Sequence, residues 1–238
     1  MRNILITGAS GGIGSAIAKE LASPSCSLFL HYSQNEAAVS KVAYECRQKG
    51  ATVTLCKADL TSDGGANQLL SQLPRTAFQV IVHNAGTSHF GLFTDVTDQQ
   101  LTEMMNIHLL NPMKITRNLL PRMIEQQKGK IVVISSIWGL AGASCEVIYS
   151  AAKGGLNSFV KGLAKEVAPC QIQVNGVAPG AIATTMLNEE DRELLIDEIP
   201  ANTLGTPDDV AGAVGFLVSD KAHYINGQIL SVNGAWYC

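Results

Sequence analysis

Hydrophobic positions along the chain alternate between two patterns. Short apolar runs at 3–7, 27–31, 52–56, 79–83, 130–135, 171–178 and 228–232 read as strands. Several are continuous, such as Val80-Ile81-Val82 and Ile131-Val132-Val133-Ile134, as expected of strands buried on both faces of a parallel sheet. Between them, apolar residues recur at helical spacing over 13–21, 36–48, 64–73, 99–125, 147–167 and 207–218. This alternation predicts an α/β fold: a Rossmann-type doubly wound parallel sheet of about seven strands with helices on both faces. No repeat, low-complexity tract or linker interrupts it, so residues 1–238 are read as one domain. Residues 181–202 form the longest stretch without a clear strand and are expected to be a mobile segment on the substrate side.

Composition narrows the function classes. With 46% hydrophobic and 16% charged residues the chain cannot be disordered. A net charge of −3 gives no basic surface for nucleic acid or an anionic membrane. No apolar run reaches the ~18 residues of a transmembrane helix, and the chain enters its first strand too soon for a secretory leader. The six cysteines are scattered, with no C-x-x-C pair, as in a reduced cytoplasmic protein without a zinc or disulfide framework. No metal is expected.

The first strand runs into Thr7-Gly8-Ala9-Ser10-Gly11-Gly12-Ile13-Gly14 and then a helix. Glycines there let the backbone turn tightly and approach a pyrophosphate, while the helix N-terminus offers N–H groups and a positive dipole end. The spacing is G-x-x-x-G-x-G, not the usual G-x-G-x-x-G, so strand–turn–helix context carries the argument. Cofactor choice is read after the second strand, where a carboxylate would bind a ribose 2′-hydroxyl and repel a 2′-phosphate. Here Tyr32-Ser33-Gln34-Asn35 brings no acid before Glu36, which points to NADP(H) held by hydrogen bonds from Ser33, Gln34 and Asn35. Asp59, followed by Leu60, fits either adenine recognition or a helix N-cap region.

Tyr149 and Lys153 stand four apart on a predicted helix, hence on one face. A cation beside a phenol lowers its pKa, and a tyrosine so tuned exchanges a proton with an alkoxide near neutral pH. Ser136, ending the fifth strand, could hold a substrate carbonyl.

Together these motifs resemble the short-chain dehydrogenase/reductase family, from Gly8 to Asn233. The glycine loop is similar to the family's T-G-x-x-x-G-x-G, and Asn84-Ala85-Gly86 to its N-A-G segment. Ser136, Tyr149 and Lys153 match its catalytic Ser, Tyr and Lys, and Pro179-Gly180 with Thr184 matches the P-G-x-x-x-T that covers the nicotinamide, taking Ile182 with it. The resemblance implies Tyr149 as acid/base, Lys153 as holder of the nicotinamide ribose and Ser136 as carbonyl polariser. Aligned through Pro112, Thr116 and Arg117, His108 stands where the family has a fourth catalytic residue, an asparagine; a two-residue shift would give that place to Asn106. The family asparagine acts largely through its main-chain carbonyl, which a histidine also has. His83 replaces the first asparagine of the N-N-A-G found in many members.

Within the family, the nearest resemblance is to bacterial 3-oxoacyl-[acyl-carrier-protein] reductases. Yet Gln127 and Cys170 occupy positions where that group carries arginines for its acidic carrier, with Lys128 and Lys130 nearby. The His-Asn-Ala-Gly segment, His108 and the Asn233-to-Cys238 ending look more like a subgroup that reduces 5-aminopentanone on elongation factor P. Ser88, His89, Trp138, Cys145 and Met186 are the expected substrate lining. The resemblance further implies a homotetramer or homodimer built on the helices at 99–125 and 147–167. A dinucleotide-binding sensor or scaffold without turnover is the remaining alternative; it would have been marked by loss of Tyr149 or Lys153.

Overall fold

All seven apolar runs become strands of one parallel sheet. The computed structural model describes residues 1–184 and 189–238, backbone only at 189–191. The strands are β1 (Arg2–Ile6), β2 (Cys26–Tyr32), β3 (Thr52–Lys57), β4 (Val80–His83), β5 (Gly129–Ile134), β6 (Ile172–Pro179) and β7 (Ile229–Val232). Their order is β3-β2-β1-β4-β5-β6-β7, with every pairing parallel. Helices α1 (Gly12–Leu21), α2 (Glu36–Gln48), α3 (Gly65–Leu70), α4 (Asp98–Met105), α5 (Asn111–Glu125), α6 (Trp138–Ala141), α7 (Val147–Val167), α8 (Glu189–Glu198) and α9 (Pro207–Leu217) connect them.

Side chains alternate across each strand, so β1 feeds two cores. Ile4 and Ile6 pack with Ile17 of α1, Val39 of α2 and Val214 of α9 on one face. Leu5 packs with Leu69 of α3, Ile115 of α5 and Val160 of α7 on the other. All three β1 residues are fully buried, each contributing about 1.5–3 kcal/mol by leaving water. The strand order reverses between β1 and β4, which opens a crevice beyond their carboxyl ends, where ligands bind in such sheets.

Several boundaries differ from the pattern. All seven strands begin or end one residue away from the expected bounds, and 64–73 forms a helix only over Gly65–Leu70. Pro74 explains the early stop, since the residue before a proline is pushed out of helical geometry. The single helix expected over 99–125 is broken by a π turn at Asn106–Leu110, closed by the Asn111 N–H donating to the Asn106 carbonyl. The segment 181–202 is not a bare mobile stretch. It contains α8, and it is anchored by buried Ile199 and by the Ala201 N–H donating to the Gly234 carbonyl (3.1 Å). The acidic sequence of α8 carries no apolar stripe to announce it.

Candidate active site

Three loops at the carboxyl ends of β1, β2 and β4 lock together around the crevice. Gly8 has φ +67°, and a Cβ there would stand 2.8 Å from the Ala85 Cα; one on Gly14 would meet the Gly8 carbonyl oxygen at 2.2 Å. Only glycine fits either place. Asn84 seals the junction, its Nδ2 donating to the carbonyls of Thr7 (2.9 Å) and Gly8 (3.1 Å). Thr7 Oγ1 accepts from the N–H groups of Asn84 and Ala85.

His31 buckles this assembly from β2, a role the sequence reading missed. Its Nδ1 accepts from the Gly8 N–H (3.0 Å), so the proton sits on Nε2 and is donated to the Ala58 carbonyl (3.1 Å). Burial holds its pKa down to about 4, which keeps the ring neutral. The signal was available: an imidazole one residue from the end of a strand that borders the glycine turn.

A cavity of about 470 Å3 runs through the crevice. At its cofactor end it is lined by Gly8, Ser10, Gly11, Gly12, Ile13 and Gly14, and beyond them by Ser33, Asp59 and Leu60. Helix α1 opens there with no side-chain cap and no acid in its first turn, leaving N–H groups turned to an anion. Asn84, Ala85, Gly86, Pro179, Gly180, Ile182 and Thr184 line the middle. The loop beyond β2 departs from the expectation. Tyr32 is buried and Gln34 exposed, and neither lines the cavity; Asn35 spends its side-chain oxygen capping α2 through the Ala38 N–H (2.9 Å). Of that segment Ser33 alone faces the cavity, among the described residues. Asp59 lines the cavity and accepts from the N–H and hydroxyl of Thr61 (2.9 and 2.7 Å) in a local turn; the N-cap of α3 is Gly64.

At the other end Ser136, Tyr149, Lys153 and His108 meet. Ser136 follows β5, and its hydroxyl bonds the Tyr149 phenol while accepting from the Trp138 N–H (3.1 Å). Lys153 Nζ lies 5.5 Å from the Tyr149 ring centre and donates to the Ile134 carbonyl (2.7 Å). Burial pushes the Lys153 pKa down to about 7. The expectation of an acidified phenol is corrected here. Burial pushes Tyr149 up to about 12, against a smaller lowering from the Ser136 bond, with Glu146 raising it further. Lys153 is turned to a backbone carbonyl and half discharged near pH 7, so desolvation dominates. Tyr149 therefore rests as a neutral acid.

Geometry also separates the two candidates on the π turn. His108 packs edge-on against Tyr149, ring centres 5.0 Å apart, and its Nε2 donates to the Thr87 carbonyl (2.7 Å). Asn106 points away and donates to the Thr61 carbonyl (2.9 Å). Burial and the Lys153 charge hold the His108 pKa well below its ordinary value. A Cβ on Gly86 would strike His108 Cε1 at 2.6 Å, so that glycine makes room for the ring.

The expected substrate lining divides. Ser88 lines the main cavity, whereas His89 and Cys145 line a smaller cleft behind Tyr149. Trp138 lines neither; it packs edge-on against Trp236 at 5.4 Å, drawn away by the short helix α6. Met186 lies outside the described residues. A dinucleotide fits what remains: a glycine cradle that any Cβ would fill, an open helix N-terminus, and two buried polar atoms of cavity residues, Ser135 Oγ and His108 Nδ1, that lack a protein partner. Among the described residues no side-chain group could hold a metal, and no helix is long and apolar enough to cross a membrane.

Comparison with known proteins agrees with this geometry. Residues 2–194 match the short chain dehydrogenase family model. The chain is 50% identical to the uncharacterized oxidoreductase YmfI of Bacillus subtilis, covering 100% of this chain and 99% of that one. It is 39% identical to the 3-oxoacyl-[acyl-carrier-protein] reductase FabG of Rickettsia typhi, covering 97% and 94%. Among solved structures, the angucycline C-6 ketoreductase LanV with bound NADP superposes with a TM-score of 0.90 at 28% identity, covering 98% of this chain and 94% of that one. The chain belongs to the short-chain dehydrogenase family of oxidoreductases.

Proposed function

We propose that the protein is an NADPH-dependent ketoreductase. The observation that carries this is the neutral Tyr149 phenol, bonded to Ser136 and flanked by Lys153 at the end of a dinucleotide-sized crevice. NADPH, when bound, supplies the hydride. Ser136 orients the carbonyl oxygen by hydrogen bonding. Tyr149 donates the proton that the nascent alkoxide needs, as a general acid. Lys153, buried beside the Tyr149 ring with its Nζ on the Ile134 carbonyl, would hold the nicotinamide ribose. His108 is neutral and holds the Tyr149 ring from the side. NADPH is favoured over NADH because Ser33, a neutral hydroxyl, borders the cavity where a carboxylate would repel a 2′-phosphate.

For the substrate, the first reading is a 3-oxoacyl thioester on acyl carrier protein, supported by the FabG relatives. The second is 5-aminopentanone on elongation factor P. The neutral residues at Gln127, exposed, and Cys170, half-buried, favour the second, since steering of an acidic carrier is weakened there even with Lys128 and Lys130 nearby. Free cysteines fit a cytoplasmic setting. A homotetramer or homodimer is supported by exposed Leu101, Leu110, Met113 and Val147 on and beside α4, α5 and α7. Following NADPH oxidation with each carrier-bound ketone decides the substrate: consumption with 3-oxobutanoyl carrier protein alone supports the first reading, and with modified elongation factor P alone the second.

A further inference from the structure

Helix α6 has only four residues, opens without a side-chain cap and stops at Gly142, whose φ is +79°. A single helical turn does not hold itself in place, so contacts from outside must place it. Its placement matters because the Trp138 N–H donates to Ser136 Oγ (3.1 Å). That bond occupies one lone pair of the hydroxyl and leaves its proton for the Tyr149 phenol. If α6 turns, the Trp138 amide turns with it, and the Ser136 hydroxyl loses its direction.

Two clamps hold α6. One comes from α7: Asn157 Nδ2 donates to the Gly139 carbonyl (2.9 Å), and Gly139 lies so close that a Cβ there would stand 2.8 Å from the Lys153 Cβ. The other comes from the turn after β7. Trp236 meets Trp138 edge to face, ring centres 5.4 Å apart at 64°, a favoured aromatic arrangement. The turn that carries Trp236 is tightly bonded within itself. The Asn233 side chain accepts from the Ala235 N–H (3.0 Å) and donates to the Tyr237 carbonyl (2.6 Å), and the Asn233 carbonyl accepts from the Trp236 N–H (3.0 Å). Ala235 is held at φ +64°, a conformation that persists in an L-residue only where its surroundings impose it. The turn is also tied to the wall of the main cavity and to the segment beyond it. The Gly180 N–H donates to the Val232 carbonyl (3.0 Å), and the Ala201 N–H to the Gly234 carbonyl (3.1 Å).

We propose that Trp236 is a positioning residue for the reaction: seated in this turn, it holds Trp138 in place and so fixes the amide that aims the Ser136 hydroxyl. This rests on the ketoreductase reading and adds to it a residue that lines neither cavity. It also gives a task to Trp138, which the structure removes from the substrate lining. The substrate end of the site is thereby set from behind, through two rings and one amide.

The test uses two substitutions. Trp236→Leu keeps apolar bulk in the turn and removes the ring; Trp236→Phe keeps a ring. Each is made in the wild type and in Ser136→Ala, and kcat and KM are measured with NADPH and a β-keto ester, with single turnovers at excess enzyme for the slow variants. Trp236→Leu is expected to lower kcat about tenfold with the KM for NADPH within about twofold, because a misaimed group costs turnover and not cofactor binding. Trp236→Phe is expected to recover most of that loss. In Ser136→Ala, Trp236→Leu is expected to cost less than about twofold, because the group it aims is gone. An unchanged kcat, a loss confined to the KM for NADPH, a Phe variant no better than Leu, or an equal loss in both backgrounds overturns the positioning role and leaves the tryptophan pair as packing. A wild type that consumes no NADPH with the keto ester, or a Ser136→Ala as fast as the wild type, overturns the ketoreductase reading of the site instead.

Discussion

Three buried histidines, all neutral, set the behaviour of single residues with pH. His83 bonds Thr116 Oγ1 through Nε2 (2.8 Å), and its pKa is pushed down to about 3 by burial; His31 falls to about 4 and His108 is also lowered. Below the ordinary histidine pKa of ~6.5 the unfolded chain takes up protons that the folded chain refuses, so stability must fall with acidification. The contribution is fully present above pH ~6.5 and is lost down through the folded values of about 4 and about 3. Urea unfolding at pH 7 and pH 4.5 should show this loss, and His83→Asn should make it smaller. Equal losses in both proteins would mean that His83 is not the buried neutral group described. These rings were only half legible beforehand. His83 and His108 stood out as replacements for asparagines in a known pattern, whereas the role of His31 declared itself only through its bond to Gly8.

At the scale of elements, the π turn at Asn106–Leu110 decides which side chain faces Tyr149. Apolar periodicity predicted one helix through 99–125 because it weighs only hydrophobic positions. The turn is instead held by buried polar groups. Asn111 donates to the carbonyls of Leu60 and Ser62 and accepts from the Ala66 N–H, while Asn106 reaches Thr61. Pro112 was the one visible sign, since it brings no N–H to the carbonyl four residues before it, that of His108. The strands and their order were far more legible, because buried parallel strands are continuous apolar runs and the glycine turn marks where the first one ends. The turn's division of labour gives a paired prediction. Asn106→Ala should lower stability by about 1–3 kcal/mol, the cost of an unpaired buried carbonyl, with turnover within a few-fold of wild type. His108→Ala should lower turnover more and move the Tyr149 ring. His108→Asn should stay within about tenfold and leave the wild-type pH–rate profile unchanged in shape, because the imidazole stays neutral and adds no titration of its own near ~6.5. Steady-state kinetics reverses the account if Asn106→Ala abolishes turnover and His108→Ala leaves it intact.

The whole molecule is a sheet whose order reverses once, and both halves of its chemistry gather at that reversal. The cofactor end depends on loops from β1, β2 and β4, and the chemical end on β5 and α7, so a dinucleotide spanning both should tie the halves together. NADPH should raise the melting temperature with the logarithm of its concentration above Kd, and more than NADH at equal concentration. Ser33→Asp should reverse that order by repelling the 2′-phosphate; a wild type stabilised more by NADH contradicts the cofactor assignment. The central claim is that Tyr149 supplies the proton in a hydride transfer carried out by this crevice. Tyr149→Phe keeps the ring against His108 and removes only the hydroxyl. The decisive measurement is its turnover of NADPH with a β-keto ester, alongside NADPH binding by fluorescence. The account predicts a loss of at least ~100-fold with binding retained; a variant that keeps more than about a tenth of wild-type turnover contradicts it.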